Sequence, residues 1–487
     1  MAELTIWQGG KARKVSFEGT PLLDAVLREA GVFTPHPCGG RGTCGKCAVQ
    51  LSGAVSEPND AEKKAGVRLS CQAVLLGDAV VTLADTERDQ QIETAIGEQP
   101  GVLRPMDGRL GAAVDIGTTT IAVKLYDLLS GECIGTAADL NPQRAVAADV
   151  MGRIGAAMQG DLKLLQAQVT EKVETLLREA GKGVGMPDVL VITGNTTMLY
   201  LLVGRDPTCL SRAPFLADTL FDTDVELFGA RVYLPACMNA FVGADITTAV
   251  LASGMCDKEA AALLCDIGTN GEMALWKDGT LYVTSTAAGP AFEGAGISMG
   301  MGGRPGAIDR VTVEDGKLRA HVIGDIAPVG ICGSGIVDAA ACLLETEALD
   351  ETGFLEDDDA LIAAPVVLTQ EDIRKIQLAK SAIHAGIRTL LHTAHAPIDA
   401  VAALLIAGGF GSYLDPVNAG KIGLLPEELA ARCEPLGNAA LTGAAMLLLD
   451  TARRASARAL CADVQVVVEL FNFSFFRVSI WGLELGN

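Results

Sequence analysis

The tetrapeptide Asp-Ile-Gly-Thr occurs twice in this chain, in AAVDIGTTTIAVKL (residues 112–125) and in LLCDIGTNGEMAL (263–275). Each copy ends an apolar run on Asp, turns through Gly and Thr, and resumes apolar residues, which reads as a β-hairpin with a polar tip. Such a tip can aim backbone N–H groups and hydroxyls at a phosphate. The carboxylate at the strand end, Asp115 or Asp266, can hold Mg2+ directly or through water, because this ion keeps much of its hydration shell. Gly117 and Gly268 let the backbone approach, and Thr118, Thr119, Thr269 and Asn270 complete the phosphate candidates. A single Asp-x-Gly turn is more often structural than functional. Two in a shared frame imply a nucleotide gripped between two related lobes. Glu272 follows the second turn and either orients a hydrolytic water or faces solvent. Glu293, within GPAFEGAG, is a looser candidate for contact with nucleotide or partner. Asn195, Thr196 and Thr197 in GNTTM either cap a helix after strand VLVIT or line the cleft.

A second constellation lies in HPCGGRGTCGKC, where Cys38, Cys44 and Cys47 stand in a C-x5-C-x2-C arrangement, with Cys71 following in RLSCQ. Three thiolates on one loop and a fourth from a distant segment suit a 2Fe–2S cluster with two ligands on each iron. Gly39, Gly40, Gly42 and Gly45 would bring backbone N–H groups to the sulfurs. Zinc also takes four Cys, but it usually pairs two C-x2-C knuckles, and one is present here. Incidental buried thiols would not gather on a Gly-rich loop. The spacing and the strand–strand–helix lead-in resemble the adrenodoxin-like and plant-type ferredoxin domain, a β-grasp fold, although the x5 gap departs from the plant-type x4. His36, beside Cys38, reads as loop structure.

The elements that must position these residues follow from pattern. Residues 4–17 read as two strands around WQGGK. A helix follows with Thr20 as cap, Pro21 at its first position, Leu22, Leu23, Val26 and Leu27 on one face and Gly31 past its end. AVQLSGAV and AVVTLA read as strands, closing a first domain over 1–85. Polar, aperiodic residues with two Pro and three Gly make 86–110 a linker. From 111 to 487, hairpins alternate with helices such as 161–181, which places Leu162, Leu165, Val169, Val173 and Leu176 on one face and stops at Gly181. The two lobes divide near 255. EDDD (356–359) reads as a solvated loop. His384, His392 and His395 lack a partner carboxylate pattern and read as structural. No Gly-Lys pair is followed by Ser or Thr, so no Walker-type phosphate loop is present.

Composition bounds the partners. At 487 residues the chain accommodates two to four domains, and its 49% hydrophobic but 4% aromatic composition favours small aliphatic cores in α/β layers. A net charge of −22 argues against nucleic acid and against an anionic membrane surface. The opening MAELTIWQGG lacks a signal-peptide pattern, and no apolar run approaches the ~18 residues of a membrane span. Together with 13 Cys, an odd number, this predicts a cytoplasmic protein with reduced or metal-bound thiols.

Further segments extend the nucleotide reading. LLIAGGFGSYLD (404–415) is a buried strand leading into a double-Gly turn, where Gly408, Gly409 and Gly411 would let adenosine lie against bare backbone. FVGADITTAVLAS (241–253) and GNAALTGAAMLLLD (437–450) are small-residue helices able to cross closely. In this order they resemble the phosphate, connector and adenosine segments of the actin/Hsp70/sugar-kinase (ASKHA) superfamily from about 111 to 450. Adding NPQRAVAADVMGRI, VITGNTTMLYLLVG, TSTAAGPAFEGAGISMGMGGRPGAI, GICGSGIVDA and QLAKSAIHAGI, nearly the whole chain resembles the reductive activators of corrinoid-dependent methyltransferases, the RACE family. That resemblance implies a β-grasp ferredoxin domain joined to a two-lobed actin-like ATPase. It also implies ATP, Mg2+ and a 2Fe–2S cluster as cofactors, and a low-potential electron donor that supplies the cluster. The partner is then a corrinoid protein, returned from Co(II) to the methyl-accepting Co(I) state, and a homodimer is allowed for. Family members often carry a middle domain between the two modules, and the linker leaves no room for one. The C-terminal VVVELFNFSFFRVSIWGLELGN departs into an aromatic-rich run. A superfamily small-molecule kinase with a regulatory cluster, a radical-dehydratase-type activator and a nucleotide-dependent scaffold are the alternatives.

Overall fold

Apolar and polar residues alternate at the strand period in the first 83 residues, and the chain folds accordingly. A computed structural model describes residues 2–8, 11–30, 32, 34, 42, 47–83 and 102–467. β1 (Ala2–Gln8), β2 (Lys11–Phe17), β3 (Ala48–Val55), β4 (Arg68–Leu69) and β5 (Leu75–Thr82) form one sheet in the order β2-β1-β5-β3-β4. β1 runs antiparallel to β2 and parallel to β5. Helix α1 (Leu23–Glu29) covers this sheet, burying Leu23, Val26 and Leu27 against Leu4, Ile6, Leu75 and Val81. A short α2 (Asp60–Ala65) is closed by a reciprocal Asn59–Glu62 capping box.

One expectation fails here. Helix α1 starts at Leu23 rather than after a Thr20 cap, and Leu22 is extended and 45% exposed instead of facing the core. The cause is competition for backbone partners. The Leu75 N–H donates to the Pro21 carbonyl at 2.9 Å and the Leu23 N–H to the Ala73 carbonyl at 2.8 Å, so strand-like pairing claims the residues a cap would have used.

Two compact units make up the chain: Met1–Asp89 with Pro142–Asp161, and Gln90–Asn141 with Leu162–Asn487. In the first, α3 (Val150–Ala156) is capped by Asp149, and the buried Arg153 donates to the Ala147 carbonyl and the Gln143 side chain.

The second unit holds two six-stranded sheets of the same plan. β6 (Leu110–Ile116), β7 (Thr120–Asp127), β8 (Cys133–Leu140), β9 (Val189–Gly194), β10 (Thr223–Leu227) and β11 (Ala230–Leu234) lie in the order β10-β11-β9-β6-β7-β8. The next hairpin, β12 (Ala261–Ile267), β13 (Gly271–Lys277) and β14 (Thr280–Thr286), is followed by a three-stranded insertion of β15 (Ala307–Glu314), β16 (Lys317–Val322) and β17 (Gly330–Ile331). A two-stranded one of β18 (Asp359–Ala363) and β19 (Val366–Thr369) comes next. β20 (Val401–Ala407), β21 (Cys433–Gly437) and β22 (Gln465–Val466) complete the second sheet as β21-β20-β12-β13-β14-β22. In both sheets the Asp-bearing strand pairs antiparallel with its hairpin partner and parallel with a later strand, β9 for β6 and β20 for β12. β6 and β12 are buried along almost their whole length, as central strands covered on both faces should be.

Helices supply the cover. α4 (Leu162–Ala180) buries Leu165, Val169, Val173 and Leu176 over β7 and β8, with Leu162 only half-buried. α5 (Thr196–Leu202) follows β9, and α6 (Ala244–Ser253) joins the two lobes. α7 (Gly333–Glu345) packs on β15, and α8 (Gln370–Thr393) on β13 and β14, while α9 (Pro416–Lys421), α10 (Ala439–Leu449) and α11 (Arg453–Ala462) follow β20 and β21. α10 crosses α6 so closely that a methyl group at Gly443 would fall 1.9 Å from the Thr248 carbonyl oxygen. From Val102 the segment read as linker is tied down. Arg104 and Met106 N–H groups donate to the Leu449 and Leu448 carbonyls, and the Arg104 guanidinium forks onto Asp450. Among the described residues no helix is long and apolar enough to cross a membrane. The aromatic-rich tail from 468 lies outside the described residues.

Candidate functional site

Asp115 and Asp266 each occupy the penultimate position of a central strand, and the turns beyond them meet. The Thr119 and Thr269 hydroxyl oxygens are 3.4 Å apart, one from each lobe. Both hydroxyls donate to the same oxygen of Glu293, each at 2.7 Å. The Gly117 N–H closes its turn on the Thr120 carbonyl and the Gly268 N–H closes its turn on Asn270. Asn141 supports the first turn, donating from its side chain to the Gly117 carbonyl and from its N–H to the Thr119 carbonyl. The Asn195 oxygen caps α5 at the Met198 N–H, and its amide donates to Thr118 at 3.1 Å. Thr196 and Thr197 are buried in the first turn of that helix, and Thr196 donates to the Asn239 carbonyl.

Four carboxylates, Asp115, Asp245, Asp266 and Glu272, gather behind the turns. Register places Glu272 directly across the hairpin from Asp266, so the two share a face of the sheet. Glu272 is 6% exposed, which overturns the solvent-facing alternative, and one of its oxygens has no hydrogen-bond partner. Burial pushes Asp115 up to about 6, against the opposing effect of the Asn438 amide that donates to it at 2.9 Å. Burial, then the charges of Asp115 and Glu293, pushes Asp266 up to about 7. Asp245, in the first turn of α6, is raised well above the carboxylate range by burial and by Asp115 and Asp266. Glu272 is raised likewise, by burial, then Asp245 and Asp266. Desolvated like charges of this kind gain from a nearby cation. Among the described residues no three ligating side chains are close enough to chelate a metal. Oxygen donors at the ends of two strands, Asp115 and Asp266, are of the type that fits an ion such as Mg2+ held largely through water.

The double-Gly turn closes the second lobe's side. Gly408 takes a left-handed φ of +88° and its N–H donates to the Gly437 carbonyl; a side chain there would begin 2.7 Å from Asp266 Oδ1. Gly409 fronts open space, whereas Gly411 packs on Ile406. Phe410 stacks on Phe292, the residue before Glu293, with ring centroids 5.4 Å apart. Sequence reasoning missed Asp245, Asn141 and Asn438. All three stood in quoted segments, and their signal was a polar residue at a helix start or turn. His384 is half-buried on α8 and accepts from Arg388.

In the N-terminal unit, Cys47 and Cys71 are buried, unbridged, and hold their sulfurs 3.3 Å apart. The Ser70 N–H donates to the Cys47 carbonyl, fixing the two segments against each other, and the Gln72 amide reaches Cys71 Sγ at 3.7 Å. Two soft donors converging on one point fit the two-ligand half of a 2Fe–2S site. Cys38, Cys44 and His36 lie outside the described residues.

Three family profiles match in sequence order. They are the 2Fe–2S iron–sulfur cluster binding domain over 8–76, the RACo middle region over 110–258, and the C-terminal ASKHA domain of RACo over 260–478. The middle region is thus the first lobe itself. The expectation that the chain lacks one is corrected, because that region is built on the β6–β7 hairpin and needs no room in the linker. The corrinoid activation enzyme RamQ of Eubacterium limosum is 37% identical over 383 residues, 70% of this chain and 64% of RamQ. This chain therefore spans somewhat under two thirds of that relative. The Co(II) methylated amine-specific corrinoid protein reductase of Methanosarcina barkeri is 25% identical over 76% of this chain and 77% of its own length. Among solved structures, a reductive activator for corrinoid, iron–sulfur protein superposes with a TM-score of 0.72 at 26% identity, covering 99% of each chain. With a ferredoxin domain, a RACo middle region and a RACo ASKHA domain following one another, the chain belongs to the RACo family.

Proposed function

We propose that this protein is an ATP-hydrolysing reductive activator. In this reading a low-potential electron from the N-terminal 2Fe–2S centre returns the Co(II) of a partner corrinoid protein to the Co(I) state needed for methyl transfer. The observation that carries the proposal is the meeting of the two Asp-bearing turns in one cleft, with Thr119 and Thr269 3.4 Å apart, in a chain that also bears a ferredoxin domain. Relatives named as corrinoid activation and corrinoid reductase enzymes support the choice of partner.

In this reading Gly117, Thr118, Thr119, Gly268, Thr269 and Asn270 cradle the phosphates, and Gly408, Gly409 and Gly411 form the adenosine wall. Asp115 and Asp266 orient the water shell of Mg2+, which when bound offsets phosphate charge. Glu272, its proton affinity raised by burial and then by Asp245 and Asp266, is the candidate for orienting the attacking water. Cys38, Cys44, Cys47 and Cys71 hold the cluster, so 1–85 is the electron-carrying domain and 111–487 the ATPase, with lobes parting near 255. Nucleotide turnover is needed because a one-electron transfer loses a factor of ten in equilibrium for each ~59 mV uphill. Lobe closure around ATP shifts that population. A chain with 13 cysteines, four of them assigned to the cluster, is suited to a reducing compartment, the cytoplasm.

The test is a spectroscopic assay for Co(I), run anaerobically with the corrinoid proteins encoded beside this gene. Co(I) should form with ATP and a low-potential donor, and Asp115→Ala or Asp266→Ala should abolish the ATP dependence while leaving iron content unchanged. Phosphorylation of an added small acceptor, with turnover indifferent to any corrinoid protein, would instead establish the kinase alternative.

A further inference from the structure

We infer that Glu293 fills the terminal-phosphate position of the nucleotide-free cleft and makes this protein distinguish a nucleoside triphosphate from a diphosphate. The inference rests on the nucleotide reading above and adds a role for a residue outside the two hairpins.

Thr119 and Thr269 are the residues at which the two turns come together, and each hydroxyl carries a single proton. Both protons are committed to one oxygen, Glu293 Oε2, at 2.7 Å. Its second oxygen lies toward Gly268, 3.6 Å from where a Cβ there would stand. A carboxylate so placed makes the contacts a phosphate oxygen would make, with the same sign of charge. A phosphate that is to accept from both lobes must expel it. A diphosphate that stops short of the two hydroxyls leaves it in place.

Glu293 is also built to move. It ends a single turn, Pro290–Glu293, set between Gly289 and Gly294, whose φ values are +77° and +76°. The preceding Phe292 is stacked on Phe410 of the double-Gly turn, and the Gly289 N–H donates to the Thr269 carbonyl. Displacing the carboxylate therefore pulls on a turn that touches both the second phosphate hairpin and the adenosine wall.

The experiment compares full-length, cluster-loaded wild type with Glu293→Ala and Glu293→Gln, titrating each with a non-hydrolysable ATP analogue and with ADP in the presence of Mg2+. Removing the resident anion should tighten the triphosphate roughly tenfold or more, since hydrogen bonds to a charged group no longer have to be broken. ADP affinity should stay within about twofold, and Glu293→Gln should fall between. Triphosphate and diphosphate affinities that move together, or a triphosphate that binds more weakly to Glu293→Ala, would overturn the inference and make Glu293 an ordinary ligand-holding residue. Should Glu293→Ala fail to fold, Glu293→Asp, one methylene too short to span both hydroxyls, must give the same change in ratio. A wild type that binds neither nucleotide would fell the ATPase reading itself, a result distinct from an unchanged ratio.

Discussion

Replacing Asp266 with Asn should stabilise the nucleotide-free protein at neutral pH and remove its response to Mg–nucleotide. In the folded chain the Asp266 carboxyl is raised from 3.8 to about 7, by burial first and then by Asp115 and Glu293. A raised carboxyl favours folding in its protonated form. The penalty is therefore absent below about pH 4, grows as pH climbs toward 7, and is complete above it. At about 1.4 kcal/mol per unit the whole shift amounts to at most about 4 kcal/mol. The carboxyl edge still reaches the cleft, so about half of that is the figure to expect at pH 8. Calorimetry on the nucleotide-free protein should show the transition of the C-terminal unit raised by roughly 3 °C at pH 8, with less than half that gain at pH 5. Mg–nucleotide should then lift the wild-type transition and leave the variant's unmoved. A gain of equal size at both pH values, or a loss at pH 8, would refute the reasoning, because neither follows from relieving an ionised, desolvated carboxylate.

Three other substitutions probe the supports. Asn438→Ala removes both the α10 cap and the hydrogen bond that holds Asp115 down, so stability should fall by about 1–2 kcal/mol and the pH midpoint of ATP turnover should move upward. Gly443→Ala drives a methyl group into the Thr248 carbonyl at the α6–α10 crossing; about 3 kcal/mol of destabilisation is expected in urea unfolding, and a neutral result would mean the helices are not locked. Cys71→Ser, made and purified anaerobically, should lower the iron content from two per chain and bleach the visible bands, whereas a zinc-loaded, colourless wild type would defeat the cluster assignment.

The chain announces its hairpins because their physics is local. An apolar run ending in Asp and a Gly-bearing turn is a strand end whatever surrounds it, and β6–β7 and β12–β13 begin and end close to where the pattern puts them. The start of α1 was not legible, because Pro21 and Leu22 serve either a helix cap or a strand, and the decision belongs to Ala73 and Leu75, some fifty residues away. Glu272 was ambiguous for a related reason. Alternation along β13 says which residues share a face, but not that the face turned inward lies under α6 and beside Asp245.

By itself the sequence determined the repeated Asp-Ile-Gly-Thr frame, the Gly-rich cysteine loop and the order of segments that marks the family, because each is a matter of residue type and short spacing. Only the tertiary structure decided that Thr119 and Thr269 share one carboxylate, that Asn438 reaches Asp115, and that neighbouring acidic groups raise the proton affinity of Asp245, Asp266 and Glu272. Those facts depend on distances between residues as much as 323 positions apart. Burial and electrostatics act through space, and no local pattern in a chain records which remote charge will be its neighbour.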